Sequence, residues 1–341
     1  MIPFVSHQTT INLKLFSKPT FVLLPLSIGV VPQVLLVCFL FLGGNLKTKA
    51  QQGDNKKATK PIRHQIGLRH DNDLILLTDR YYTSGLFLTY RHRLQNGFLN
   101  SDNEQLSFSL RQEIITPRYL KTHIIEQLDR AYVGFMALKA GWSRVRDNSL
   151  VETDFLLGIA GEASGAGAFQ RWYHDTVLFS QSPTWVGEME NSVHYNLYAN
   201  YLYEWQLAPN PFSIYMALKP QIAFGTRDIY IHPEMVLYLG SRSPLSSSIA
   251  HHQLGSRQEE IFFALRTGYR LVGYNGLLQG NALGDDSVLL MPPKKTVLFA
   301  GCDFQHRHKQ NEYWVGVRYN TAESDKAKAH KYVILSYTRN F

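Results

Sequence analysis

The sequence predicts an all-β protein, a transmembrane antiparallel β-barrel of about twelve strands with a short loop helix at its extracellular rim. Three observations predict this fold. After Pro61, segments of about ten residues alternate apolar and polar side chains. The 341-residue chain is 13% aromatic and only 18% charged, and it ends on Phe341. Alternation with a period of two directs one set of side chains to lipid and the other to a lumen.

The N-terminal segment has the organisation of a secretory signal. Lys14 and Lys18 precede a nearly uncharged stretch over residues 21–42, and two glycines follow it. A basic flank, an apolar run and small residues are typical of a signal peptide. The run is also long enough to span a bilayer, so an uncleaved anchor is the alternative. We predict three segments: a signal peptide over 1–50, a polar linker over 51–61 and the barrel over 62–341.

About twelve strands are predicted, an even number as in bacterial single-chain barrels. Their ranges are 63–71, 82–95, 104–116, 130–143, 149–161, 190–206, 212–224, 228–240, 260–273, 295–307, 311–321 and 331–341. The last strand ends on Phe341, which resembles the signal that the barrel assembly machinery of the bacterial outer membrane reads. The competing prediction is a soluble β-sandwich or propeller. The absence of an internal repeat and the length of the strands favour the barrel.

The composition limits the classes of binding partner that we expect. The net charge is +8, but Lys and Arg are scattered along the alternating segments rather than clustered as in a nucleic-acid binder. A basic surface suits anionic, phosphorylated lipid headgroups, so we expect membrane lipids and no nucleic acid. Cys38 lies in the predicted signal, and its removal would leave Cys302 as the single thiol. An intrachain disulfide is then excluded.

The first region with chemical potential lies at the first strand. Asp71, Asn72 and Asp73 are followed closely by Thr83. Carboxylates are not tolerated on a lipid-facing position, so they must face the lumen, a loop or a metal. Crowded oxygen donors suit calcium, although the spacing is not that of an EF-hand. The alternative is a hydrated turn that caps the strand.

The second region is a run of small residues over 161–168 that leads into a helix-compatible segment. We predict a loop helix near 166–178, on which Gln170 and His174 are four residues apart and share one face. A histidine held in this way could act as a general base near neutral pH. The alternative is an ordinary surface histidine, one of 13 in the chain. No G-x-S-x-G nucleophile elbow is present, which favours a water nucleophile.

These two regions together resemble a known family. The resemblance rests on four blocks in order, and it spans nearly all of the chain after the predicted signal. The blocks are Asn72-Asp73 with Asp79-Arg80-Tyr81-Tyr82-Thr83-Ser84-Gly85, then Asp129-Arg130-Ala131-Tyr132, then Gly161 to His174 with Trp185, and finally Leu278-Gln279-Gly280-Asn281. In these blocks the sequence is similar to the outer-membrane lipid A 3′-O-deacylases.

The resemblance implies a twelve-stranded barrel whose active site lies between the barrel wall and a loop helix, at the level of the outer leaflet. It implies calcium-dependent hydrolysis of the 3′-acyloxyacyl ester of lipid A, with lipopolysaccharide as substrate. His174 would activate water, and Thr83 and Gln170 would complete the polar site. Asn72 and Asp73 would organise the calcium and the oxyanion region, with Asp73 as a metal ligand.

The sequence departs from the family pattern at three places. Ser180 stands at an acidic position after the histidine, and Thr122 stands at a lysine position, with Lys121 beside it. A Gly-Pro pair before the loop helix reads Gly161-Glu162, where Glu162 could supply a displaced acidic ligand. Two other functions stay open. One is a catalytically silent barrel, structural or a small pore, and the other is an esterase of the outer-membrane phospholipase type.

Overall fold

The structure is a computed structural model that describes residues 62–76, 80–99, 101 and 103–341. The predicted signal peptide over 1–50 and linker over 51–61 lie outside these residues. Within the described ranges, no helix combines the length and the apolar character needed to cross a membrane.

Twelve antiparallel strands form a closed barrel, which confirms the predicted fold. Each strand pairs with the next in sequence, and β12 pairs with β1 to close the ring. The strands are β1 (His64–Asn72), β2 (Tyr81–Arg93), β3 (Glu104–Thr116), β4 (Val133–Arg146), β5 (Ser149–Ala160), β6 (Ser192–Ala208), β7 (Ser213–Gly225), β8 (Asp228–Ser241), β9 (Glu260–Asn275), β10 (Thr296–His308), β11 (Asn311–Asn320) and β12 (His330–Asn340).

Alternation along the strands separates two faces as predicted. Leu110, Leu138 and Leu197 lie on the outer surface and are among the large exposed apolar side chains. Their exposure has a physical reason, because lipid rather than water covers this face of a membrane barrel. The inner face carries charged and polar side chains such as Arg69, Asp71, Glu113, Arg227 and Asp228, which line a lumen cavity of about 480 Å³.

Strand bounds follow the predictions closely, with one informative shift. β4 begins at Val133 rather than at residue 130. The preceding motif, Asp129-Arg130-Ala131-Tyr132, lies in a loop because its side chains contact residues outside β4. Asp129 accepts hydrogen bonds from the Tyr81 hydroxyl and the Arg118 N–H, both at 2.9 Å. The Tyr132 ring stacks on Trp185.

The two ends of the barrel differ in the length of their connections. One end carries the long loops 117–132, 161–191 and 276–295. The other end carries the tight turns 147–148 and 309–310, one longer connection over 242–259, and both ends of the described barrel. Bacterial barrels have short periplasmic turns and longer extracellular loops. We therefore assign the end with the long loops to the extracellular side.

The periplasmic end is closed from within by the β8–β9 loop, residues 242–259. Its short 3₁₀ turns bury Leu245 and Ile249 against lumen-facing side chains of the wall. Arg242 donates to both carboxylate oxygens of Glu204 on β6, at 2.5 and 2.6 Å. Gln105 donates to the His252 carbonyl oxygen at 2.9 Å. We call this loop the plug.

Candidate active site on the outer wall of the barrel

The first strand hairpin contains an irregularity at Thr83. The pairing of β2 with β3 shifts between Tyr82 and Ser84, so Thr83 is the extra residue of a β-bulge. A bulge re-aims a side chain and is common next to active sites. Here the Thr83 hydroxyl lies 2.7 Å from the hydroxyl of Thr116, and the Thr83 carbonyl oxygen accepts the Asp73 N–H at 3.2 Å.

Asn72 and Asp71 point to opposite faces of the wall because they are neighbours on β1. Asp71 lines the lumen, where it accepts a hydrogen bond from Tyr82 at 2.9 Å. Asn72 therefore faces outward, yet it is only 8% exposed. Asp73 follows it in the β1–β2 loop, is fully buried and accepts the Arg80 N–H at 2.9 Å.

The β5–β6 loop forms the predicted helix. Helix α1 (Ala166–Tyr173) begins after Gly165, whose φ of 72° suits glycine, and it continues as a π-turn over His174–Leu178. The helix rests on the outer face of β3 and β4. A Cβ at Gly134 of β4 would lie 2.6 Å from the Ala166 Cβ, so glycine at this position permits the close approach. π-turns inside helices are frequent at functional sites.

An aromatic cluster fixes the helix to the wall. Ala166 and Trp185 pack with Ile114 of β3 and with Tyr132. The Trp185 indole N–H donates to the Gln170 Oε1 at 2.9 Å. Because this bond is buried, it orients the Gln170 amide and satisfies both groups. The Gln170 amide is therefore held in a fixed orientation within the apolar contact between the helix and the wall.

His174 lies one turn beyond Gln170 and is 8% exposed. Its Nδ1 is 3.1 Å from the Ser180 hydroxyl. Burial lowers the pKa of His174 below its ordinary 6.5, and the ammonium group of Lys121 lowers it further against the opposing charge of Asp175. A lowered pKa keeps the imidazole neutral, which is the form that can accept a proton. Ser180 stands at one departure from the family pattern, and Lys121 lies beside another at Thr122. Both residues are therefore neighbours of this histidine.

The strand residues and the helix residues lie on the same face at the same end of the barrel. A row of paired positions crosses four strands on the outer face, from Asn72 through Ser84 and Ile114 to Gly134 under the helix. Three strand spacings of about 4.8 Å make this row about 14 Å long. β3 connects the two groups, since Thr116 bonds to Thr83 and Gln112 donates to the Ser164 carbonyl oxygen at 3.1 Å.

A pair of glutamates lies beside the helix. Burial, and then the negative charge of Glu162, raise the pKa of Glu188 to about 7. Within the described residues, Glu188 Oε1 is buried without a hydrogen-bond partner. The folded state therefore favours protonated Glu188. Its stabilising contribution is complete below pH 4.5 and is lost as the pH rises through about 7.

Glu188→Gln tests this linkage. In the wild type, amides of the loop 161–191 should exchange hydrogen faster at pH 8 than at pH 5 after correction for the intrinsic rate, because ionised Glu188 repels Glu162. The variant should lose this difference. The matched control is Glu126→Gln, at an exposed position in the β3–β4 loop. An unchanged pH dependence in Glu188→Gln would contradict the prediction.

Sequence reasoning missed Thr116 and Glu188. Thr116 ends a strand that the alternation did predict, but its contact with Thr83 depends on the bulge, for which the sequence holds no visible signal. Glu188 lies in the same loop as Glu162. The acidic residues that follow Glu162 in this loop are the only signal in the sequence that could have suggested a pair of neighbouring carboxylates. Asp79 of the first block lies outside the described residues.

Comparisons with known proteins agree with this architecture. The family model described as outer membrane protein LpxR matches residues 34–341. Among solved structures, LpxR from Salmonella typhimurium superposes with a TM-score of 0.69 at 19% identity, covering 81% of this chain and 100% of that chain. The β domain of the Bordetella autotransporter BrkA gives a TM-score of 0.40 at 9% identity, covering 83% and 99% of the two chains, a likeness too low to carry an argument. No curated protein matches. The chain belongs to the family of outer membrane protein LpxR and resides in the bacterial outer membrane.

Proposed function

We propose that this protein is a calcium-dependent lipid A 3′-O-deacylase that hydrolyses the 3′-acyloxyacyl ester in the outer leaflet. The observation that carries the proposal is a buried histidine of lowered pKa on a helix packed against the outer wall at the extracellular end. Family membership supports a lipid A deacylase-type activity. The ester, the calcium and the role of the histidine are our inference from the site.

The chemistry assigned to His174 is general base catalysis. The imidazole takes a proton from water while the water oxygen attacks the ester carbonyl carbon. The tetrahedral oxyanion then expels the 3′-oxygen of the sugar, which receives the proton from the imidazolium. The acyl chain leaves as a carboxylic acid. Ser180 lies at the Nδ1 edge of the ring, 3.1 Å away, and can hold the ring in place as the charge develops.

The position of the site suits a substrate that stays in the membrane. Trp172 of α1 is 54% exposed and Phe179 beyond the π-turn is 86% exposed. Exposed aromatic side chains at a membrane interface can contact acyl chains while the polar site reaches the headgroup. A water-soluble substrate would not need apolar side chains beside the catalytic histidine. This arrangement favours a lipid ester.

The donor atoms near Asn72 fit calcium by their chemistry. Asp73 offers a fully buried carboxylate, and Asn72 offers an amide oxygen on the same chain segment. Calcium accepts carboxylate, amide and carbonyl oxygens together with water. Glu162, the second ligand that the sequence analysis predicted, has Glu188 as its neighbour and follows Gly161, which bonds to Gly134 at the other end of the row from Asn72. It is therefore too far from Asp73 to bind the same ion. Calcium bound at this site would stabilise the negative charge of the oxyanion.

The plug argues against a pore. An open pore needs a continuous aqueous path, whereas residues 242–259 fill the periplasmic part of the lumen and are tied to the wall by the buried ion pair of Arg242 with Glu204. A phospholipid esterase uses the same groups as the proposed deacylase. The substrate assay must therefore separate these two activities.

Mass spectrometry of lipid A tests the proposal directly. Lipid A from cells that express the protein should lack the 3′-linked acyloxyacyl chain, and lipid A from cells with the empty vector should retain it. The purified protein should give the same loss in calcium but not in chelator. Release of fatty acid from phospholipid vesicles alone would instead assign a phospholipase. Unaltered lipid A in the presence of calcium would refute the deacylase.

A further inference from the structure

A cluster of metal-binding side chains lies at the end of the barrel opposite the proposed active site. One donor atom each from Glu259, His306 and His308 lies within 4.8 Å of the other two, and this is the one group of three such side chains found in the described part of the chain. His306 and His308 end β10, and Glu259 immediately precedes β9. The plug thus ends at this cluster.

The two histidines face outward because they alternate with lumen-facing residues. Gln305 and Arg307 are buried in the lumen, with 3% and 1% exposure. His306 and His308 are the positions between and after them, so both rings lie on the outer surface at the periplasmic rim. Two imidazoles two residues apart on one strand share a face, as a chelating pair requires.

A hydrogen bond orients the His306 ring for a cation. The His306 Nδ1 lies 3.0 Å from the Glu260 carbonyl oxygen. A carbonyl oxygen only accepts, so Nδ1 carries the hydrogen and the neutral ring presents its lone pair at Nε2. A hydrogen bond to a backbone carbonyl is how proteins commonly fix the tautomer of a metal-ligating histidine. The Nε2 of His306 lies 4.0 Å from the Glu259 carboxylate.

The spacing is close to that of a tetrahedral site. Two ligand atoms bound to zinc at about 2.0–2.1 Å in tetrahedral geometry are about 3.3 Å apart. The His308 Nδ1 lies 3.2 Å from Glu259 Oε1, at hydrogen-bond distance, so a bound metal ion would replace the hydrogen between these two atoms. The same oxygen is the one nearest His306. Glu259 and His308 are more than half exposed, so small rotations of their side chains can close the remaining gap.

We infer that Glu259, His306 and His308 bind a transition-metal ion of the Zn²⁺ class at the periplasmic rim. Two imidazole nitrogens and one carboxylate oxygen suit Zn²⁺ and not the hard calcium ion proposed for the opposite end. The fourth position is open to water or to a ligand from a partner. Bound metal ties the end of the plug at Glu259 to β10, so it also stabilises the closed periplasmic end.

Zinc binding to the full-length chain in detergent tests the inference. The protein is prepared without a polyhistidine tag, stripped with a chelator and titrated with Zn²⁺ in competition with a chromophoric chelator. We expect about one ion per chain at this site. His306→Ala, His308→Ala and Glu259→Gln should each weaken binding by about tenfold or more, the range in which loss of even a supporting partner falls. Co²⁺ should give the intense visible absorption of a four-coordinate ion.

A second histidine pair provides the matched control. The rings of His64 and His92 stack 4.7 Å apart on β1 and β2, whose paired ends lie at the same rim. The double variant His64→Ala/His92→Ala should retain zinc binding at the proposed site. Absence of stoichiometric zinc binding in the wild type would overturn the inference. So would loss of binding in the control pair with retention in the His306→Ala/His308→Ala variant. Neither readout depends on deacylation.

Discussion

Replacing His174 by alanine is expected to lower the rate of lipid A deacylation by about 10²–10⁴-fold, the usual contribution of a general base. The fold should persist, because the side chain belongs to a loop helix and not to a strand. The rate of release of the 3′-linked chain by the purified protein in calcium is the measurement. Heat-modifiable migration in gels would verify that the variant is folded.

The pH dependence of kcat/KM gives a second test of His174, because a residue with a purely structural role would not shift it. Burial lowers the pKa of His174, and only the neutral imidazole accepts a proton. The value of kcat/KM should therefore rise with pH on the acid side with a midpoint below the ordinary 6.5 and then level off. His123→Ala, at an exposed position of the β3–β4 loop, should leave rate and profile unchanged. A folded His174→Ala variant with wild-type rates would remove His174 from the mechanism.

Replacing Arg307 by methionine is expected to destabilise the barrel by about 3–5 kcal/mol, because the buried Glu260 carboxylate would lose its ionic partner. Arg307 is 1% exposed and forms an ion pair with Glu260. It also donates to the Ser247 carbonyl oxygen of the plug, at 3.1 and 3.2 Å. A single side chain thus joins the wall to the plug.

Urea unfolding in detergent or lipid vesicles measures this effect. Two variants act as controls. Glu260→Met/Arg307→Met should recover much of the stability, because neither charge remains buried. Arg146→Met removes an exposed arginine that lies 3.8 Å from Asp147, and it should leave the unfolding midpoint nearly unchanged. An Arg307→Met midpoint equal to that of Arg146→Met would show that the buried pair does not hold the plug.

The barrel could be predicted from the sequence because its signal is local. Alternation of apolar and polar residues is a property of each strand, and it does not depend on which strand lies beside it. This pattern and the order of the motifs predicted the number of strands, the apolar side chains that face outward, and the loop helix with Gln170 and His174. β4 begins later than predicted because loop contacts of Asp129 and Tyr132, rather than alternation, decide where that strand begins.

Only the tertiary structure decided how these pieces meet. The bulge at Thr83 and its contact with Thr116 depend on the register between two strands, which alternation does not determine. The position of helix α1 on the outer wall depends on the pairing of Gly134 in β4 with β3. Gln65 bonds to Asn340, 275 positions away, where the ring closes. Chain segments this far apart meet through packing and hydrogen bonds that no local pattern encodes, so the sequence alone could name candidate site residues but not place them.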